Sequence, residues 1–329
     1  MTEKQPDETQ IHQHFINGNK FKIVLITILM SILCYFLFTI WAGWENVLAA
    51  VKQVGFLGIA VALGLSLVNF GMRFLRWHYF LNVLDYSIPW APSLRIFISG
   101  FSMTTTPGKT GEAVRGVFLK DYGVPFRKTF GAFLAERTSD LLSVTILSSA
   151  GLWLYPKARP VLLIVAAVIG FLFFAVRKDS WLLSLEKLAK KIFPEKFAHV
   201  IEFFLETVRS FRSCFTTKVM STGLILGVTA WICEAMALMY LVHLLGYEIT
   251  PMTAIFIYGF SLVIGGITLL PGGLGGAEVT MIQLLILQSI PAAIAVAVTL
   301  VIRMTSLWFS VFLGMIALPK NIILGTAKK

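Results

Sequence analysis

Six stretches of this chain, at residues 23–43, 54–75, 130–154, 161–176, 219–245 and 291–318, are dominated by apolar side chains. A hydrocarbon layer about 30 Å thick is crossed by about 20 such residues in a helix, because inside lipid every backbone N–H and C=O must be satisfied within the segment. The runs therefore predict an all-α, polytopic helical membrane protein with about six full spans. Composition excludes the soluble alternative: 57% of the residues are hydrophobic and only 14% charged, with a mean hydropathy of +0.80, whereas a soluble chain carries about 25% charged residues.

The first run is followed by Trp41, Trp44 and Glu45 without a small-residue cleavage site, so it reads as a retained anchor and not a secretory signal. The net charge of +11 reports orientation and not a nucleic-acid partner, since Lys and Arg concentrate in cytoplasmic loops. With the N-terminus inside, Lys52, Lys157 and Arg159 fall in external loops, against nine basic residues from Arg177 to Lys218 and Lys320, Lys328 and Lys329 in the tail. Both termini are thus expected in the cytoplasm, in a cell membrane and, by expectation, a bacterial inner membrane. The expected divisions are a cytoplasmic segment 1–22, an anchor span with an external loop 23–53, a first repeat half 54–177, a basic amphipathic linker 178–218, a second half 219–318 and a tail 319–329. The linker suits anionic headgroups on the inner leaflet, or serves as a solvated connection.

Two further apolar segments, 91–120 and 252–290, are each interrupted by Pro and Gly, as PGKTG at 107–111 and PGGLGG at 271–276. Each reads as two half-length helices joined by a break, at Pro107, Gly108 and Gly111 and at Pro271, Gly272, Gly273 and Gly275. The alternative is that the Pro-Gly pairs end ordinary helices or link paired full spans. The two segments belong to an internal repeat: FISGFS at 97–102 recurs as FIYGFS at 256–261, and LDYSI at 84–88 resembles LGYEI at 245–249. In each half a glutamate follows the break, and 25 residues later comes an arginine: Glu112 and Arg137, Glu278 and Arg303. Three crossings between the halves would make the second an inverted copy, with two re-entrant hairpins entering from opposite faces. Broken helices at matching places in inverted halves point to a binding site near the midplane, and half-helix N-termini there favour anions.

An ionisable residue at bilayer depth costs about 2.5–3.5 kcal/mol on insertion scales and therefore faces a partner or a cavity. Glu136 and Asp140 share a helix face with Arg137 between them, and Glu112 and Arg115 lie three apart. The repeat predicts the pairs Glu112–Arg137 and Glu278–Arg303. Arg73 and Arg76 close the second span, where they either snorkel to the interface or, sharing a face with Asn69 and Trp77, hold a lipid phosphate. Thr104, Thr105 and Thr106 either satisfy the broken backbone or line a path. Trp41, Trp44, Trp90, Trp153 and Trp308 fit interfacial belts. His78, His199 and His243 lack metal-ligand spacing, and Cys34, Cys214 and Cys233 form no motif. No metal and no cofactor is predicted.

RFLRW at 73–77, PGKTGEAVR at 107–115, ERTSDLL at 136–142 and PGGLGGAE at 271–278 together resemble the lysylphosphatidylglycerol synthase transmembrane-region family, also called flippase-like or uncharacterised protein family 0104. The resemblance spans nearly the whole chain. Lys109 and the Gly276-Ala277 pair depart from its usual pattern. It implies translocation of an anionic or zwitterionic lipid, a phospholipid or a polyprenyl-linked lipid, and a chain without the soluble synthase domain, hence no enzyme. The residues implicated in handling substrate are Arg73, Arg76, Glu112, Arg115, Glu136, Arg137, Asp140, Glu278 and Arg303. Two other functions stay open: a lipid-binding accessory protein that transports nothing, and a membrane-embedded transferase, for which no donor-site signature is found. The bilayer is the expected surrounding, with a homo-oligomer or a lipid-synthase partner in view.

Overall fold

A computed structural model describes residues 29, 32–152, 155–177, 198–268 and 270–318, and no strand occurs among them. The helices are α1 (Ile32–Trp41), α2 (Trp44–Val83), α3 (Trp90–Gly100), α4 (Arg115–Leu119), α5 (Phe126–Ser149), α6 (Arg159–Arg177), α7 (Ala198–Cys214), α8 (Thr217–Leu244), α9 (Pro251–Ile267), α10 (Gly276–Leu287), α11 (Ala292–Arg303) and α12 (Phe309–Ala317). A π turn, Met304–Trp308, joins α11 to α12. Among the described residues three helices are long and apolar enough to cross a membrane: Trp44–Val83, Thr217–Leu244 and Ala292–Ala317. The other expected runs are largely helical where described, and Glu136, Arg137 and Asp140 of α5 turn inward.

Helix α2 contains a non-helical residue, Gly55, at φ 61°. Beyond it about 28 residues, roughly 42 Å at 1.5 Å each, continue to Val83. Before it, Trp44–Val54 is helical where an external loop was expected, because Val47, Ala50 and Val54 recur at three- to four-residue spacing and all bury one face. Helix α7, within the expected linker, packs on α5: Gly131 of α5 lets its backbone in, since a Cβ there would lie 2.7 Å from the Thr207 carbonyl oxygen. Arg127 pairs with Glu202 at 3.0 Å and with Glu206, and Phe126, Phe130 and Phe203 group beside them. The linker's residues 178–197 lie outside the described residues.

The molecule is apolar outside and polar within. Phe36, Leu37, Phe56, Leu57, Leu163, Phe171, Ile225, Phe312 and Ile316 are all exposed, far more than the scattered apolar residues of a soluble surface. Five carboxyl groups, four arginines and many hydroxyls are meanwhile buried. Two apolar cores pack around these charges. One gathers Ala62, Leu238, Phe256, Leu285 and Val298; the other gathers Trp77, Phe80, Phe97, Phe101 and Leu119.

The recurring sequences adopt the same local turn. Asp85 and Gly246 hold matching places in LDYSI and LGYEI, and both are left-handed, at φ 66° and 84°. In each, the following tyrosine N–H donates back five residues, Tyr86 to Leu81 at 3.1 Å and Tyr247 to Val242 at 3.2 Å, the closure that ends a helix at a left-handed residue. The glycines of FISGFS and FIYGFS both sit at close approaches. A Cβ on Gly100 would fall 2.7 Å from Arg115 Cγ, and one on Gly259 would fall 3.0 Å from Ser148 Oγ.

Both broken segments are interrupted where Pro and Gly predict. The second is clean: α9, a 3-10 turn at Pro271–Gly273, then α10. The first is not a pair of α-helices, because Pro107–Val114 winds as a 3-10 helix before the five residues of α4. Pro107 lacks an N–H, and Gly108 and Gly111 are poor helix formers.

Candidate functional site

At the first break, Thr106 does what its backbone needs. Its Oγ1 accepts from the Gly111 N–H at 2.6 Å and donates to the Met103 carbonyl at 2.9 Å. Thr104 instead donates to Glu112 at 2.6 Å. At the second break Gly272, Gly273 and Gly275 all take positive φ, where only glycine is unstrained. The freed Gly272 carbonyl accepts from Arg303 Nη2 at 2.9 Å. Lipid cannot satisfy such groups, so unwound backbone persists only where protein does. The two tips meet: a Cβ on Gly272 would lie 3.8 Å from Thr105 Cα.

Around the first tip, α2, the 3-10 helix, α4 and α5 assemble one ion cluster. Arg76 Nη2 donates to Asp140 at 2.5 Å and Nη1 to Ser139 at 3.3 Å. Arg115 bridges Glu112 and Glu136 at 3.2 and 3.0 Å, its guanidinium 4.2 Å from the Trp77 ring centre. Arg137 meets Glu136 at 2.6 Å, Asp140 at 3.1 Å and Glu112 at 3.5 Å. Arg73 stands apart. It lies 3.9 Å from both Glu112 and Glu136, beyond hydrogen-bonding distance, and its guanidinium faces Phe101 and Trp231. Nitrogens of Arg73, Arg76, Arg115 and Arg137 remain without hydrogen bonds among the described residues. With Lys109, whose ammonium faces Trp231 at 5.8 Å, the cluster has four guanidinium groups and one ammonium against three carboxylates, a surplus of positive charge.

The second tip holds the smaller pair. Arg303 Nε donates to Glu278 at 2.6 Å, and Tyr35 of α1 donates to the same oxygen at 3.3 Å. Trp308 donates to Tyr35 at 3.3 Å, so this tryptophan serves the interior as well as any interfacial belt. The π turn begins one residue after Arg303; such turns widen a helix locally and are frequent at functional sites.

Both pairs expected from the repeat are therefore in contact, Glu112 with Arg137 and Glu278 with Arg303. The snorkelling reading of Arg73 and Arg76 is overturned: α2 runs on to Val83 and both side chains are buried, Arg76 completely. Pro107 and Pro271 open the 3-10 segments of the two breaks. Not anticipated were Tyr35, Ser139, Trp231, Tyr258 and Glu234. Glu234 had a signal available, as the one acid in the apolar run 219–245.

A cavity of about 570 Å³ lies between the tips. Lys109, Arg137, Asp140 and Arg303 give it a charged part; Ile164, Val165, Val168, Leu262, Ile267 and Leu270 give it an apolar flank. Among the described residues no group of His, Cys, Asp and Glu is arranged to hold a metal ion.

Lipid-facing helices around buried charges and two broken segments define a polytopic helical membrane protein with a polar interior at the breaks. The chain belongs to the family described as lysylphosphatidylglycerol synthase TM region, which matches residues 23–314. It is 25% identical over 327 residues to a UPF0104 membrane protein of Pyrococcus horikoshii, covering 91% of this chain and 97% of that one. A UPF0104 membrane protein of Methanothermobacter thermautotrophicus is 25% identical over 312 residues, 87% and 90% of the two chains. One of Methanocaldococcus jannaschii is 25% identical over 328 residues, 91% and 96%.

Proposed function

We propose that the protein moves a lipid with an anionic or zwitterionic headgroup across the membrane, the headgroup passing through the cavity between the breaks while the tails stay in the bilayer. One observation carries the reading: the cavity pairs cationic groups, Lys109, Arg137 and Arg303, with an apolar flank, as an amphiphile with an acidic head requires. The cationic surplus beside it supports an anion, because Arg forks match phosphate oxygens in pairs. The family description names a synthase of a phospholipid, which agrees with a lipid ligand. No covalent change of the lipid belongs to this function. The bias of Lys and Arg toward the linker and tail supports cytoplasmic termini.

The test is reconstitution in liposomes, following headgroup accessibility to an impermeant reagent. Wild type should accelerate exchange between leaflets, and Glu112→Gln and Glu278→Gln should both lose that acceleration. Lipid binding without exchange would make the protein an accessory, and a chemically altered lipid would make it a transferase; either result overturns translocation.

A further inference from the structure

Five carboxyl groups are buried among the described residues: Glu112, Glu136, Asp140, Glu234 and Glu278. Four have arginines within ion-pair distance. Glu234, on α8 and 1% exposed, has no ion pair among the described residues, and its Oε2 has no hydrogen bond. The groups facing it come from three helices: Ser66 and Arg73 from α2, Tyr258 from α9 and Arg303 from α11. Helix α5, the remaining neighbour of α8, meets it two turns earlier, where Ser143 abuts Gly227. Glu234 thus stands between the two ion clusters, in range of one arginine of each and bound to neither.

An ionised carboxylate without a partner is too costly to bury; the group neutralises instead. A metal cation would need room and several oxygen ligands. Neither is present: the cavity wall includes Trp231, one turn earlier on α8, and omits Glu234, and no metal-holding group occurs among the described residues. The proton is the cation that needs no volume.

We propose that Glu234 is a proton-binding site, occupied in the arrangement described here and emptied when Arg73 or Arg303 comes within ion-pair distance, so that its occupancy follows the state of the two clusters. Arg73 is the nearer candidate for that movement, since its present carboxylate contacts are long and it already lies against Trp231. One proton bound removes one negative charge, and one released leaves a carboxylate paired with a guanidinium, which lowers the positive surplus of the buried groups by one. That this exchange drives lipid movement rests on the function proposed above. The protonation itself does not.

Two measurements separate the claims. Infrared difference spectra of the full-length protein in nanodiscs of phosphatidylcholine and phosphatidylglycerol should show, at neutral pH, the C=O stretch of a protonated carboxylic acid. The band should vanish in Glu234→Gln and return at a shifted frequency in Glu234→Asp, which keeps the test decisive should the glutamine variant fold poorly. A band unchanged by both substitutions, or absent from wild type, overturns the site. In proteoliposomes of the same lipids, an imposed pH gradient should change wild-type headgroup exchange by about fivefold or more, the low end of coupling between two sites, and leave Glu234→Gln unresponsive. An equal response in both overturns the coupling. Wild type without any exchange, but with the band present, would sink lipid movement and leave the proton site standing.

Discussion

Arg76 and Arg73 are three residues apart on one helix, yet they hold unlike positions. Arg76 is completely buried and bonded to Asp140 and Ser139. Arg76→Ala should cost about 3–5 kcal/mol, the usual result of stranding one half of a buried ion pair, read as a loss of thermal stability in detergent. Arg76→Lys should recover only part, because an ammonium lacks the planar fork that reaches both partners. Glu278 and Arg303 allow a sharper test. Arg303→Glu alone sets two carboxylates together and should destabilise strongly, while combining it with Glu278→Arg should restore much of the loss. Recovery should stay incomplete, since Arg303 also satisfies the Gly272 carbonyl and a glutamate has no donor for it. A double-mutant cycle on melting temperature checks both statements.

At the scale of elements, the matching turns at Asp85 and Gly246 predict opposite effects for exchanging their residues. A side chain in the left-handed region costs about 1–2 kcal/mol, so Asp85→Gly should stabilise and Gly246→Ala destabilise, each by about 1 kcal/mol. Space at Gly246 is open, which leaves backbone strain as the cause; equal melting temperatures for wild type and both variants would contradict it. The turns also mark what the sequence made legible. Repeated LxY and FIxGFS patterns, Pro-Gly breaks and the 25-residue spacing of Glu and Arg were all visible, because each is a local signature or a recurring spacing. The 3-10 winding of Pro107–Val114 was not, since its Glu112 is held by tertiary partners such as Arg137 of α5, 3.5 Å away. Nor was the seat of α7 on α5. An amphipathic helix presents the same apolar face whether it meets lipid or another helix, and only Gly131 hinted at a backbone close by. Glu234 was not legible for a different reason: no basic residue lies three or four positions away along α8, and the groups that face it come from other helices.

For the molecule as a whole, the apolar exterior and charged interior divide the work between bilayer and site. The exposed aromatic and aliphatic girdle needs lipid or detergent, while the charged groups need each other, and the two cores pack around them. The cavity is the place where this separation is thinnest, its wall carrying both kinds of residue. Leu262→Trp should fill part of it from the apolar flank. On the proposed function the added ring enters cavity space, so the variant loses less stability than the about 1–3 kcal/mol of an overpacked core, and loses headgroup exchange. A drop in stability with exchange intact would place the route elsewhere. Arg73 adds a kinetic consequence. Standing 3.9 Å from Glu112 and 3.9 Å from Glu136, it is equally far from two anchors and clamped by neither. The other arginines are tied by contacts of 2.5 to 3.0 Å; on the proton-site proposal a movement of Arg73 toward Glu234 breaks no ionic contact of that length.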